Sequence, residues 1–136
     1  MGTDAESILE GFEQYPTLGP DLYLVDREVD GVTVIDLVGP LVREPSVHAL
    51  ADRIQELLDK GVRGLAINLA EVPYADSYGL GGLVAAGNSV RQAGGKIRFF
   101  AGSERLVRTL ERPRLDRVLN LYEDESSALS SFENSS

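Results

Sequence analysis

The period of apolar positions changes several times along the chain, and each change marks an element. Leu22–Glu28 alternates and is rich in apolar residues, which predicts a strand. Asp30-Gly31 follows, a pair that tolerates positive φ and is a strong hairpin signal. Val32–Val38 then suits a buried strand, and Gly39-Pro40 stops it. Pro45 and Ser46 open a helix whose apolar positions, Val47, Leu50, Ala51, Ile54, Leu57 and Leu58, recur every three or four residues. His48 falls on its polar side and reads as an exposed histidine, and Gly61 ends the helix. Val62–Leu69 is the most buried-looking strand. After a loop containing Pro73, a second helix runs from Ser77 to about Ala93 with an inward stripe of Leu80, Leu83, Val84, Gly87 and Val90. Gly94-Gly95 ends it, and Lys96–Ala101 reads as a strand. Ser103–Glu111 predicts a helix with Leu106, Val107 and Leu110 inward, Leu119–Tyr122 a short last strand, and Glu125–Phe132 a last helix. A hairpin followed by alternating helices and strands predicts an α/β fold, a mixed β-sheet with about four helices packed against it. Residues 21–133 form the expected domain. Residues 1–20 read as a flexible acidic arm, with a short helix near Glu6–Gln14, that is dispensable for folding, and residues 134–136 as a disordered tail.

Composition narrows the chemistry. The chain has 136 residues, room for one core, and no cysteine, which excludes disulfides, thiolate metal sites and thiol nucleophiles. His48 is the sole imidazole, so a transition-metal site would need several carboxylates. No apolar run approaches the roughly 18 residues of a membrane span, and the acidic N-terminus does not resemble a signal peptide. A cytoplasmic protein without cofactor is the expectation. The net charge of −9 sits at the ends: residues 1–30 hold eight acids against Arg27, residues 122–136 hold four acids and no base, and the middle is nearly neutral. A nucleic-acid binder would carry a basic stripe. The nearest approach is Arg105, Arg108, Arg112, Arg114 and Arg117, offset by Glu111 and Asp116, which reads as a solvated helix face or as a docking surface for an acidic partner.

Most of the functional signal lies in Asn68–Val84, NLAEVPYADSYGLGGLV. Ser77 sits where a strand and loop enter a helix, near unpaired helix N–H groups. Asp76 precedes it, and Gly79, Gly81 and Gly82 follow in the first turns. Each helical glycine costs roughly 1 kcal/mol against alanine, so something must approach the backbone closely: the neighbouring sheet, a ligand or another protein. A plain reading is a Ser or Asp N-cap with glycines for tight packing. Ala75-Asp76-Ser77-Tyr78-Gly79 is one residue from a hydrolase nucleophile elbow, but the triad histidine of that class follows its serine and His48 precedes Ser77. Gly79-Leu80-Gly81-Gly82-Leu83-Val84 has Val84 where a dinucleotide loop needs glycine, and no Gly-Lys-Ser/Thr occurs.

The segment Ala75-Asp76-Ser77-Tyr78-Gly79-Leu80-Gly81 resembles the Asp-Ser-Ser/Thr-Gly-Leu-Gly motif of STAS domains, which include the bacterial anti-sigma factor antagonists. Gly39-Pro40-Leu41 is similar to the family's Gly-x-Leu, Gly94-Gly95-Lys96 to its Gly-Gly before the fourth strand, and Leu110–Leu121 to its late leucine-rich segment. The resemblance covers about residues 22–133. It implies a hairpin-led α/β sheet domain that works by binding, not catalysis, with an anti-sigma factor serine kinase as partner. It implies that Ser77 is phosphorylated by that kinase, that a phosphatase resets it, and that Asp76, Tyr78, Gly79, Leu80, Gly81 and Gly82 meet the partner. A STAS scaffold that phosphate does not switch is the alternative. Two positions depart from the family pattern. Val42 stands where an aspartate is frequent, and Tyr78 where Ser or Thr is usual.

Overall fold

The computed structural model describes residues 22–42 and 46–133, the side chain of Ser46 excepted. The expected acidic arm, its short helix, the Pro45 helix start and the tail at 134–136 lie outside the described residues. Five strands form one sheet in the order β1-β2-β3-β4-β5: β1 (Tyr23–Val29), β2 (Val32–Val38), β3 (Gly64–Glu71), β4 (Lys96–Phe100) and β5 (Leu121–Tyr122). β1 runs antiparallel to β2 and the rest are parallel. Asp30 and Gly31 make the hairpin turn with φ of 52° and 83°, the two positive values that a type I′ turn demands. Helices α1 (Ser46–Asp59), α2 (Ser77–Gln92), α3 (Glu104–Glu111), α4 (Leu115–Leu119) and α5 (Glu125–Glu133) complete the described residues. This is the mixed α/β architecture expected from the pattern.

Strand alternation divides the core between the two faces of the sheet. Ile35, Leu37, Leu65, Ile67, Leu69, Ile97 and Phe99 point to one face and are buried beneath α1 to α4. Leu50 and Ile54 of α1, Leu83 and Val90 of α2, and Leu106 and Leu110 of α3 close over them. Burying each such side chain contributes about 1.5–3 kcal/mol, so this layer dominates stability. Val32, Val34, Ala66 and Phe100 point to the other face, where α5 covers them with Ala128, Leu129 and Phe132. The helices are therefore split between both faces, which the sequence pattern left undecided.

Three details differ from expectation. Ala51 is exposed, so the buried stripe of α1 is narrower than predicted. The segment expected as a strand from Leu119 is helical up to that residue: Leu119 ends α4 fully buried, and β5 begins at Leu121. The fifth helix arises because Arg114 adopts φ of 61°, which breaks α3 from α4 and lets Leu115 and Leu119, one turn apart, both face the core. His48 is exposed, as its place on the polar side of α1 predicts.

An ionic clip ties the first hairpin to the last helix. Arg27 of β1 donates to both carboxylate oxygens of Asp36 at 2.8 and 3.0 Å. It also donates to Glu125 at the start of α5, through Nη1 at 3.1 Å and through Nη2. Asn68 of β3 donates to Asp36 at 2.8 Å. Hydrogen bonds from Arg27, opposed by burial and helped by Asn68, hold the Asp36 carboxyl below the usual carboxylate range.

Candidate functional site

The site begins with an irregularity in β3. Asn68 pairs with Asp36, but the register then shifts so that Val38 meets Glu71. The Asn68 side chain accepts from the backbone N–H of Ala70 at 3.0 Å, satisfying a donor that the shifted ladder leaves over. The chain beyond is pinned to the segment following β2. Leu41 N–H donates to Tyr74 O and Asp76 N–H donates to Leu41 O, both at 3.0 Å, so Leu41 and Ala75 form a single parallel bridge. This bridge delivers Asp76 and Ser77 to the start of α2.

Asp76 caps that helix. Its backbone is extended and its Oδ1 accepts from Gly79 N–H at 2.8 Å, while Leu80 N–H closes the first turn on Asp76 O at 2.9 Å. Such a cap contributes about 1 kcal/mol. Ser77 is thereby the first residue of the helix, and it is exposed. Tyr78, beside it, is 58% exposed. Tyr74, on the approach to Ser77, is 38% exposed and lies under the Arg105 guanidinium, 5.2 Å from the ring centroid. Two exposed aromatic residues thus bracket the serine along the chain, one of them beneath a cation.

The glycines divide by role. A Cβ on Gly79 would lie 1.9 Å from Leu41 O, so Gly79 exists to let the β2 exit segment pack on the first turn. A Cβ on Gly82 would lie 2.9 Å from Val47 Cγ1, so the Val47 side chain of α1 would have to shift. Gly81 meets nothing within 4 Å and faces open space. Close internal approach therefore accounts for Gly79 and Gly82, and Gly81 lies on the outer surface near Ser77.

The family model of the STAS domain matches residues 23–128. This chain belongs to the STAS domain family. Among curated relatives, a candidate anti-sigma factor antagonist of Thermotoga neapolitana is 35% identical over 74 residues, which cover 54% of this chain and 66% of that one. The match thus spans just under two thirds of the relative. The crystal structure of a candidate anti-sigma factor antagonist from Thermotoga maritima superposes with a TM-score of 0.69 at 27% identity, covering 79% of this STAS domain chain and 92% of that chain. The anti-sigma factor antagonist SpoIIAA shares the fold: its unphosphorylated form gives a TM-score of 0.68 at 16% identity, covering 82% of this chain and 97% of that one. Its phosphorylated form gives 0.60 at 17% identity, covering 82% and 98%.

Within this STAS domain the structure brings Asp76, Ser77, Tyr78, Leu80 and Gly81 to one surface, and it seats Gly79 beneath them. Val42, the first departure from the family pattern, is half-buried on the segment just after Leu41. Sequence reasoning missed one contributor and placed another only on a basic helix face. The missed one is Tyr74, an exposed aromatic residue in the loop three positions before Ser77. Arg105, read only as part of a basic face, is 28 positions beyond Ser77 in sequence and reaches the loop by stacking over Tyr74. Among the described residues no group of three or more His, Asp or Glu is placed to hold a metal, and no helix is long and apolar enough to cross a membrane. A hollow of about 830 Å³ between the hairpin and α5 is lined by none of the residues around Ser77.

Proposed function

We propose that this STAS domain is an anti-sigma factor antagonist switched at Ser77. The unphosphorylated form captures an anti-sigma factor that is itself a serine kinase, and so frees a sigma factor. The kinase transfers the γ-phosphoryl group of ATP to the Ser77 hydroxyl, which ends the capture, and a phosphatase resets the site. The domain works by binding and performs no catalysis of its own. The observation that carries this reading is the division of labour at the start of α2: Asp76 caps the helix, which leaves Ser77 exposed at its first position. The names borne by the Thermotoga relatives support the same role.

The physics of the switch follows from that position. Phosphorylation adds about −1.5 to −2 charge and three acceptor oxygens. The N-terminal N–H groups and the macrodipole of α2 tolerate an anion, so the fold survives. Neighbouring Asp76 repels it, and the partner interface bears the main penalty, because a dianion buried without a counter-charge costs several kcal/mol. A loss of about 4 kcal/mol weakens affinity about a thousandfold.

The test is calorimetric titration of the wild type, Ser77→Ala and Ser77→Asp against purified anti-sigma kinases, with intact mass measured after incubation with ATP. Ser77→Ala should bind constitutively and take no phosphate. Ser77→Asp should bind more weakly, though less so than the phosphorylated wild type, because one carboxylate carries less charge. Equal affinity of all three forms, with no phosphate at Ser77, would leave a STAS scaffold without a switch.

A further inference from the structure

The charge of the molecule is strongly acidic, yet the surface adjoining Ser77 is basic. Leu106 and Leu110 of α3 are fully buried, so the opposite side of that helix must face outward. Arg105, Arg108 and Arg112, spaced by three and four residues, form a single stripe there. With Thr109, Pro113 and Leu80 of α2 they line an open groove of about 460 Å³. Leu80 lies one turn beyond Ser77, and Arg105 stacks over Tyr74 three residues before it, so the groove adjoins the switch segment through these two residues.

The stripe is poorly neutralised. Arg108 reaches Glu104 at 3.8 Å, with the side chains 68% and 90% exposed, a contact worth little in water. Among the described residues, no carboxylate lies in ion-pair range of Arg105 or Arg112. Guanidinium groups in a row are adapted to carboxylates, which they can grip through two parallel N–H donors. The floor contributed by Leu80 and Pro113 is apolar, which favours an aliphatic side chain between the acids. Nucleic acid fits less well, because three arginines on a chain of net charge −9 give a small footprint for a phosphate backbone.

We propose that this groove docks an acidic segment of the anti-sigma kinase, with carboxylates flanking one aliphatic side chain. The inference rests on the function proposed above and assigns its specificity to α3, leaving Ser77 as the switch. Docking beside the serine would hold the kinase at its substrate and steer encounter electrostatically, so the association rate should fall with salt.

The experiment uses the full chain and the purified kinase that titrates against it in the Ser77 series. The charge-reversal pair Arg108→Glu/Arg112→Glu spares the Arg105–Tyr74 contact. It should weaken binding at least about tenfold at 0.1 M salt, chiefly through a slower association whose salt dependence is flattened. The neutral pair Arg108→Gln/Arg112→Gln should lose an intermediate amount, and it carries the test if the reversed pair fails to melt cooperatively. The control pair Lys60→Glu/Arg91→Glu makes the same change in net charge toward the far end of α1 and α2 and should bind within about twofold of wild type. Wild-type affinity and salt dependence in the groove variants would overturn the groove while leaving the Ser77 switch standing. An equal loss in the control pair would overturn it in favour of net charge. A wild-type dimer in sedimentation velocity that the groove variants disperse, with kinase binding intact, would assign the groove to a second copy. Absence of any binding by the wild type would instead defeat the proposed function itself.

Discussion

Three glycines within four positions carry opposite expectations. Gly79 faces a backbone carbonyl that a Cβ would meet at 1.9 Å, and neither group belongs to a flexible side chain. Gly79→Ala should therefore force α2 away from the β2 exit segment and cost about 3 kcal/mol or more. At this chain length the melting temperature should fall by roughly 10 °C. Gly81 meets open space, so Gly81→Ala should leave stability unchanged or raise it by up to about 1 kcal/mol through helix propensity. Gly81→Val should also leave the fold and its melting intact while weakening capture of the anti-sigma factor, because its branched side chain stands on the surface beside Ser77. Thermal melts and one titration decide among these outcomes. A stable Gly79→Ala variant would show that the Leu41 segment moves aside freely.

At the scale of elements, the start of α2 depends on a cap that is not the switch. Asp76→Ala should cost about 1 kcal/mol, within a range of 0.5–2, and Asp76→Ser should restore most of it, as chemical denaturation would measure. Strong amphipathic periods made the larger elements legible in the sequence: α1, α2, α3 and the three long inner strands fall within a few residues of where alternation and helical spacing place them. The Asp30-Gly31 turn was legible because two adjacent positive φ values suit few other residues. The α4 helix was not, since five residues hold too few turns to show a period, and its start depends on the left-handed conformation of Arg114, which composition does not announce. Of the site, Asp76 and Ser77 could be located from the sequence at a strand-to-helix junction. The separate duties of Gly79, Gly81 and Gly82 could not, because they depend on where Leu41 and Val47 arrive from another part of the chain. Arg105 was seen as part of a basic helix face. That it would meet Tyr74 was not legible, because the contact depends on where α3 settles relative to a loop about 30 residues earlier.

For the whole molecule, the Arg27, Asp36, Asn68 and Glu125 cluster couples the first hairpin to the last helix and adds a pH dependence. Asp36 holds its proton less readily folded than unfolded, so the folded state gains from its ionisation. That gain is complete above the unfolded carboxylate range, at about pH 5. It is lost as pH falls through the lower folded value. Asp36→Asn should remove about 1–2 kcal/mol at pH 7, discounted because Arg27 is partly solvated. The same substitution should make stability less steep between about pH 5 and pH 3 than in the wild type. Denaturant melts at several pH values measure both. A variant whose acid limb matches the wild type would mean that other carboxylates govern acid unfolding.

The sheet order described above also bears on how the chain assembles. Each strand lies beside the strand that precedes it in sequence, so every new pairing closes a loop of modest length, and the entropic cost of each closure is paid in small steps. A chain growing from its N-terminus can add strand after strand to a partner already in place. The last helix is the exception: it packs on Val32 and Val34, and its Glu125 pairs with Arg27 across 98 residues of chain. The ion pair can form only once the last helix is in place, which predicts that it lies on the native side of the folding barrier. Interactions formed there govern how long the folded state lasts more than how fast it is reached. A Glu125→Gln variant should accordingly show its loss as faster unfolding, with the refolding rate nearly that of wild type. The clip is in this sense a latch: it sets the lifetime of the closed domain after the rest of the sheet has formed.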